Sequence, residues 1–309
     1  MSTFTLTELQ KIVQNDLVSG VIENIIDVNP MNMVLPYTGY AGTGIITNYE
    51  STLGDTQFLA IDGTITAKAP STATTQTFTA TTIVGDAEVN GLIAAQGSAI
   101  DIMAAQVKSK AKDLGRKFQT GMATGDGASP NMNSMHTLCA ASQFTTASAG
   151  QALSFALLDE LLMLVTMDTP DFIVMPKRTF SAFRALYRAA SMVQPDYLRD
   201  QFGKSAGLSV MEYLGIPVFR NDFLSVVETA NGAALAGGAL TSVYAGVWDD
   251  GTMSKGLAAI HPAAVPGGVV VEAIGNMETK DTNIVRVKQY VNLANFGVKG
   301  LARLTSINN

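Results

Sequence analysis

From Asp86 to Gly121 the sequence repeats one buried position at helical spacing for longer than any ordinary helix needs. Val89, Leu92, Ile100, Met103, Val107, Ala111, Leu114 and Phe118 recur in steps of three and four, with Gln96 the one polar residue in the series. A single apolar stripe of that period predicts an α-helix over 86–121 that buries one face. The mean step is near 3.6, which asks for a nearly straight rod and not a supercoiled pair. At ~1.5 Å per residue its length is on the order of 50 Å. Asp86 reads as its N-cap, Glu88 lies in the first turn, and Lys108, Lys110, Lys112, Arg116 and Lys117 crowd the far end, where cations suit the helix dipole. Gly121 offers the stop. Gly91, Gly97 and Gly115 argue for a bend or break, at ~1 kcal/mol each against alanine. A rod of this length must lie against something large.

The chain has 309 residues, 47% apolar, enough for one large core or two smaller ones, and two subdomains are expected. Charged residues make up only 15% and the net charge is −6. Few charges favour a surface covered by partners over a freely solvated one, and the absence of a basic run apart from the helix end argues against sequence-specific DNA binding. Cys139 is the only cysteine, so an intrachain disulfide and a cysteine-built metal site are excluded. His136 and His261 are the only imidazoles, and neither sits in a metal-binding or catalytic spacing. Neither a metal nor a cofactor is expected. Residues 1–20 carry Glu8, Lys11 and Asp16 where a signal peptide has an apolar core, and 229–248 is uncharged but too rich in Gly, Ala and Thr for a membrane span. A cytosol-like compartment and no membrane contact follow as expectations.

Leu9, Ile12, Val13, Leu17, Val21, Ile22 and Ile25 form the apolar face of an N-terminal amphipathic segment that ends at Asn29-Pro30. It packs on the chain's own core or on a neighbour; both stay open. Residues 37–85 then turn Gly- and Thr-rich with period-2 alternation. Ile45-Ile46, Phe58–Ile61 and Thr64–Lys68 read as strands, with Asp62-Gly63 as a hairpin turn. So little apolar content cannot build a core, which predicts a two-stranded ribbon standing off the body and lying on another subunit.

After the rod, Gly125–Pro130 is a turn-rich exit into a loose segment running to about Gly150. Leu153–Val165 reads as a helix, Phe172–Met175 as a buried strand and Lys177–Ala189 as a helix burying Phe180, Phe183, Leu186 and Tyr187. That order suggests a compact α/β unit. Leu208–Leu214, Ile216–Phe219 and Val243–Trp248 read as further strands, and Glu228–Leu240 as a flexible loop or cap. Gly268–Ala273, Ile284–Tyr290 and Phe296–Leu304 alternate as antiparallel strands, with Val285 and Val287 facing one way and Arg286 and Lys288 the other.

Arm, Thr-rich ribbon, rod, Gly125-Asp126-Gly127 exit, Phe172–Met175 with its following helix, Leu214-Gly215-Ile216-Pro217-Val218 and the closing β segment together resemble the major capsid proteins of tailed bacteriophages. The resemblance spans essentially the whole chain. It implies an α+β fold of the type named after phage Hong Kong 97. Residues 1–36 correspond to the N-arm, 37–85 to the E-loop, 86–150 and 266–309 to the peripheral domain with its spine helix 86–121, and 151–265 to the axial domain, with 228–240 at its tip.

The function so implied is a non-enzymatic shell protein that assembles as hexamers and pentamers into an icosahedral head around double-stranded DNA. Its partners would be further copies of itself, a portal protein and a separate scaffolding or decoration protein, with non-specific contact to the packaged DNA. It would reside in the virion and be assembled in the host cytoplasm. Net acidity fits a lumen that must not grip the genome. The long charged scaffolding segment that some members carry is not seen at the N-terminus. Some members form Lys-to-Asn cross-links between subunits. Lys68 is the one ribbon lysine, and Asn276, Asn283, Asn292 and Asn295 lie in the region of the acceptor. Two other readings stand beside this one: an encapsulin-like compartment around a cargo enzyme, and a hydrolase using Ser154 or Ser181 with His136 or His261.

Overall fold

A computed structural model describes residues 31, 34–91, 102–190 and 211–308. The expected N-terminal amphipathic segment, residues 92–101 of the expected rod and the start of the strand expected from Leu208 lie outside them.

Two sheets share the body. The first has five strands: β1 (Tyr37–Tyr40), β10 (Leu257–Pro262), β12 (Thr282–Asn295) and β11 (Val269–Asn276) in that order, with β4 (Thr81–Asn90) also on β12. The 14-residue β12 is its axis, pairing β10 through Asn292–Asn295 and both β11 and β4 through the rest. The second has six strands in the order β5 (Phe144–Gln151), β13 (Leu301–Ile307), β9 (Thr241–Gly246), β6 (Phe172–Met175), β8 (Ile216–Arg220) and β7 (Met211–Tyr213). A separate pair, β2 (Ile45–Thr52) with β3 (Thr72–Phe78), makes the ribbon.

Helix α1, the rod, spans Ile102–Thr124, 23 residues. Its Val107, Ala111 and Leu114 pack on Ala87 of β4, Val269 and Val271 of β11, and Val285 and Val287 of β12. The alternation expected in β12 holds: Val285 and Val287 meet the rod, while Arg286 pairs with Asp86 and Lys288 with Glu272 on the other face. The short α2 (Met135–Leu138) is capped by Ser134, whose hydroxyl accepts from the Thr137 amide. Helices α3 (Phe155–Leu164) and α4 (Lys177–Ala189) cover one face of the six-stranded sheet, burying Leu157, Leu158, Leu161, Phe183 and Tyr187 against Ile173, Met175, Val243, Ala245 and Leu304. Its opposite face joins Phe172, Val174, Tyr244 and Leu301 to Phe118 and Met122 of the rod, Met135 of α2, and Leu257, Ile260 and Leu293 of the first sheet. One continuous core therefore ties both sheets to the end of the rod.

The spine helix expected over 86–121 is corrected at both ends. Asp86–Asn90 are strand, because Ile83, Gly85, Ala87 and Val89 also alternate with period 2 and β12 offers them a complete ladder. Asp86 pairs with Arg286 instead of capping a helix. At the other end Gly121 is not a stop: a Cβ there would lie 2.4 Å from the Met132 sulfur, so glycine is needed for close packing inside the helix. The helix runs to Thr124, and the cationic residues lie before its last turn.

The segment expected to be loose up to Gly150 holds α2, a 3-10 turn at Ala141–Gln143 and β5. Strand pairing crosses the expected domain limits at three strands. β5 and β13, placed with the rod by the resemblance, belong to the six-stranded sheet, and β10, placed in the axial domain, belongs to the first sheet.

Candidate functional site

The ribbon rises from a buried base. Ile45 and Phe78 face each other across β2 and β3, both in the shared core, and Phe78 meets Phe296 edge-on with ring centroids 6.0 Å apart. The Ala80 amide donates to the Tyr40 hydroxyl at 2.9 Å and fixes where the ribbon leaves the body. Away from that base the ladder continues only to Thr52 and Thr72.

Beyond it, the strands expected at Phe58–Ile61 and Thr64–Lys68 are not formed, because the Gln57 side chain takes the backbone bonds a ladder would use. Its amide nitrogen donates to the Thr64 carbonyl at 3.0 Å, and its oxygen accepts from the Thr66 and Ala67 amides, each at 2.9 Å. The expected hairpin turn forms one residue early: the Gly63 amide donates to the Ala60 carbonyl at 2.9 Å, with Asp62 at φ 65°. This tip presents apolar side chains to water. Leu53 and Ile61 are 82% and 96% exposed, Phe58 is fully exposed, and Leu59 and Ile65 are more than half so. Covering Phe58 or Ile61 completely would contribute about 1.5–3 kcal/mol.

A second surface lies along the rod. A groove of about 750 Å³ runs between β4 and the end of α1, lined by Thr82, Lys110, Lys117, Thr124, Asn131 and Met132 among others. No single segment announces it, since it arises only where β4, the rod and the 125–132 turn meet.

The third feature is the segment 228–240, expected as a flexible loop or cap. It is instead a tied lobe. Glu228 and Leu240 exchange backbone bonds of 2.8 and 3.1 Å, and Glu228 is buried in an ion pair with Arg303 at 3.1 Å.

Lys68 is exposed on the ribbon and has no ion-pair partner among the described residues. Of the asparagines considered with it, Asn276 and Asn283 are exposed and face each other across β11 and β12. Asn292 is buried, its side-chain oxygen accepting from the Asn133 amide at 2.7 Å and its nitrogen donating to the Thr79 carbonyl at 2.7 Å, and Asn295 is buried too. The residues weighed for hydrolysis lie on separate elements. The Ser154 hydroxyl caps α3, Ser181 is exposed on α4, the His261 ring sits at its own strand end 3.0 Å from the Pro262 carbonyl, and His136 lies in α2. None of the four hydrogen-bonds another among the described residues. No group of three or more potential metal ligands occurs among those residues either, and none of their helices is long and apolar enough to cross a membrane.

No protein-family profile matches the chain, and no curated protein matches it by sequence. Solved structures do. The SrpI encapsulin of Synechococcus elongatus PCC 7942 superposes with TM-score 0.65 at 16% identity, covering 90% of this chain and 86% of that one. The capsid of cyanophage A-1(L) gives 0.64 at 12% identity, covering 91% and 93%. The capsid of a native GTA particle gives 0.63 at 11% identity, covering 90% and 89%. Each likeness covers nine-tenths or more of this chain, and at these identities they speak for the fold. The architecture this chain adopts is the α+β Hong Kong 97-type capsid fold.

Proposed function

We propose that this chain is a shell-forming structural protein, the major capsid protein of a tailed-phage head, assembling as hexamers and pentamers around double-stranded DNA. The observation that carries the reading is the ribbon tip. Leu53, Phe58 and Ile61 stand in water on a two-stranded element that has no core of its own. Such an element gains its stability by lying on a neighbour, so ordering and assembly are coupled. The groove along the rod is a fitting bed for a neighbour's ribbon: its Lys110 and Lys117 suit the ribbon's Asp55 and Asp62. Plates joined through such heterologous contacts close into rings.

On this reading the chain turns over no substrate, and its place is the virion, reached after assembly in the host cytoplasm. A portal protein, a scaffolding or decoration protein and loosely touched DNA are its remaining partners. The domain assignment follows the sheets: ribbon 37–80, a peripheral unit of α1 with the first sheet, and an axial unit of the six-stranded sheet with α3 and α4. Lys68 is the ribbon amine available to a neighbour's Asn276 or Asn283, with loss of ammonia as the amide forms.

A nanocompartment around a protein cargo is the second reading, favoured by the likeness to the SrpI encapsulin, which is as good as that to the phage capsids. Electron microscopy of the purified protein tests both: closed particles are expected, and a soluble monomer with an ordered ribbon at high concentration overturns them. Nucleic acid or protein inside particles from the native source separates the two.

A further inference from the structure

Arg303 is the largest fully buried side chain of the described residues, and it comes from β13, a fully buried strand in which it is the one charged residue. Its guanidinium lies 5.3 Å from the Phe144 ring centre and 5.7 Å from that of Tyr244. Nε donates to the Ser242 hydroxyl at 3.0 Å, and Nη2 donates to Glu228 Oε2 at 3.1 Å and to the Gly232 carbonyl at 3.5 Å. The Ser242 hydroxyl in turn donates to Glu228. Three residues on, the Ser306 hydroxyl accepts from the Asn231 amide at 2.8 Å. Gly232 sits so close that a Cβ there would be 2.2 Å from Nη2, and its φ is +61°.

The same lobe is tied elsewhere. Thr229 and Ala234 exchange bonds of 2.9 and 2.8 Å, and Arg178 donates to the Ala239 carbonyl at 2.6 Å. Its outer surface carries no charge from Thr229 to Leu240, and Val226 and Val227 beside it are exposed.

A buried ion pair contributes little stability over an apolar pair of the same size, because two ions must be desolvated. What it supplies is direction: the planar guanidinium holds the Glu228 carboxylate and the Gly232 carbonyl through Nη2 and the Ser242 hydroxyl through Nε, at fixed angles. We propose that the Glu228–Arg303 pair is a positioning device for self-association, fixing the uncharged 229–240 lobe in the shape that meets further copies of this chain. The inference rests on the shell reading above and adds to it which side chains set the geometry of the contact.

The test replaces charge by apolar volume. Glu228→Leu with Arg303→Met is expected to melt within about 3 °C of wild type, to exchange amides of 225–241 about tenfold faster or more, and to yield at least about tenfold fewer closed particles. Ser306→Gly removes one anchor at a position whose φ of 64° suits glycine. It is expected to speed exchange at 229–233 and cut particle yield several-fold, and it decides the matter should the double variant fail to fold. Wild-type particle yield and slow exchange in the double variant, or in Ser306→Gly, would overturn the proposal. Absence of particles from the wild type sinks the shell reading instead, and leaves the exchange measurement to judge the pin.

Discussion

Asp86 of β4 and Arg286 of β12 stand directly opposite each other and are joined by two parallel bonds, 2.7 and 2.8 Å long. The fork holds the Asp86 carboxyl below the usual carboxylate range, chiefly through the hydrogen bonds from Arg286. Both side chains are about a third exposed, so the pair is worth little more than a good surface bridge. Asp86→Ala should cost about 0.5–1 kcal/mol, less in high salt, and should have no further effect once Arg286 is replaced by Met. Because the folded carboxyl is depressed, this contribution is present at neutral pH and lost as pH falls through the carboxylate range. Denaturant melts at two ionic strengths check it.

Excising residues 56–68 removes the apolar tip and no core residue, since the base at Ile45 and Phe78 stays. The shortened subunit should melt as wild type does and fail to form closed particles in electron micrographs. Normal particles would detach assembly from the ribbon.

Phe118 is fully buried where the rod meets both sheets. Phe118→Ala should cost about 3–5 kcal/mol, and because the core is shared, calorimetry should show one transition moving as a unit. Lys112→Ala, on the exposed side of the same helix, should stay within about 0.5 kcal/mol of wild type.

The His136 imidazole is pushed down to about 4 by burial and, secondarily, by the nearby Arg303 charge. The unfolded chain therefore binds a proton that the folded one refuses between about pH 6.5 and about 4. Stability should fall across that window as pH drops, by about 2 kcal/mol after allowance for partial exposure. His136→Asn should flatten the fall, read from melting temperatures at a series of pH values.

Local pattern was enough wherever one partner decided the element. Lys177–Ala189 and Phe172–Met175 have the limits expected from their own residues, the first following Pro176 and the second buried throughout. It failed where two periods overlapped. From Asp86 to Val89 the start of the expected helix overlaps the period-2 alternation of β4, and the distant β12, with Arg286 in register, chose the strand. The ribbon tip misled for a smaller reason, one glutamine side chain substituting for a ladder.

The buried pin was half visible. Arg303 sits between Leu301-Ala302 and Leu304 in a strand otherwise fit for a core, and a lone cation in such a run demands a buried partner. That the partner is Glu228, at the border of an uncharged stretch, could be found only from the fold. The groove on the rod left no trace in the sequence, because no single segment builds it.

The position of β13 bears on how the molecule is made. It follows every other strand in the chain yet lies inside the six-stranded sheet, between β5 and β9. A polypeptide still emerging from the ribosome thus holds β5 apart from β9 and leaves Glu228 without its counter-ion. Completion of the six-stranded sheet, and with it the tie between Glu228 and Arg303, therefore waits until synthesis has passed Arg303.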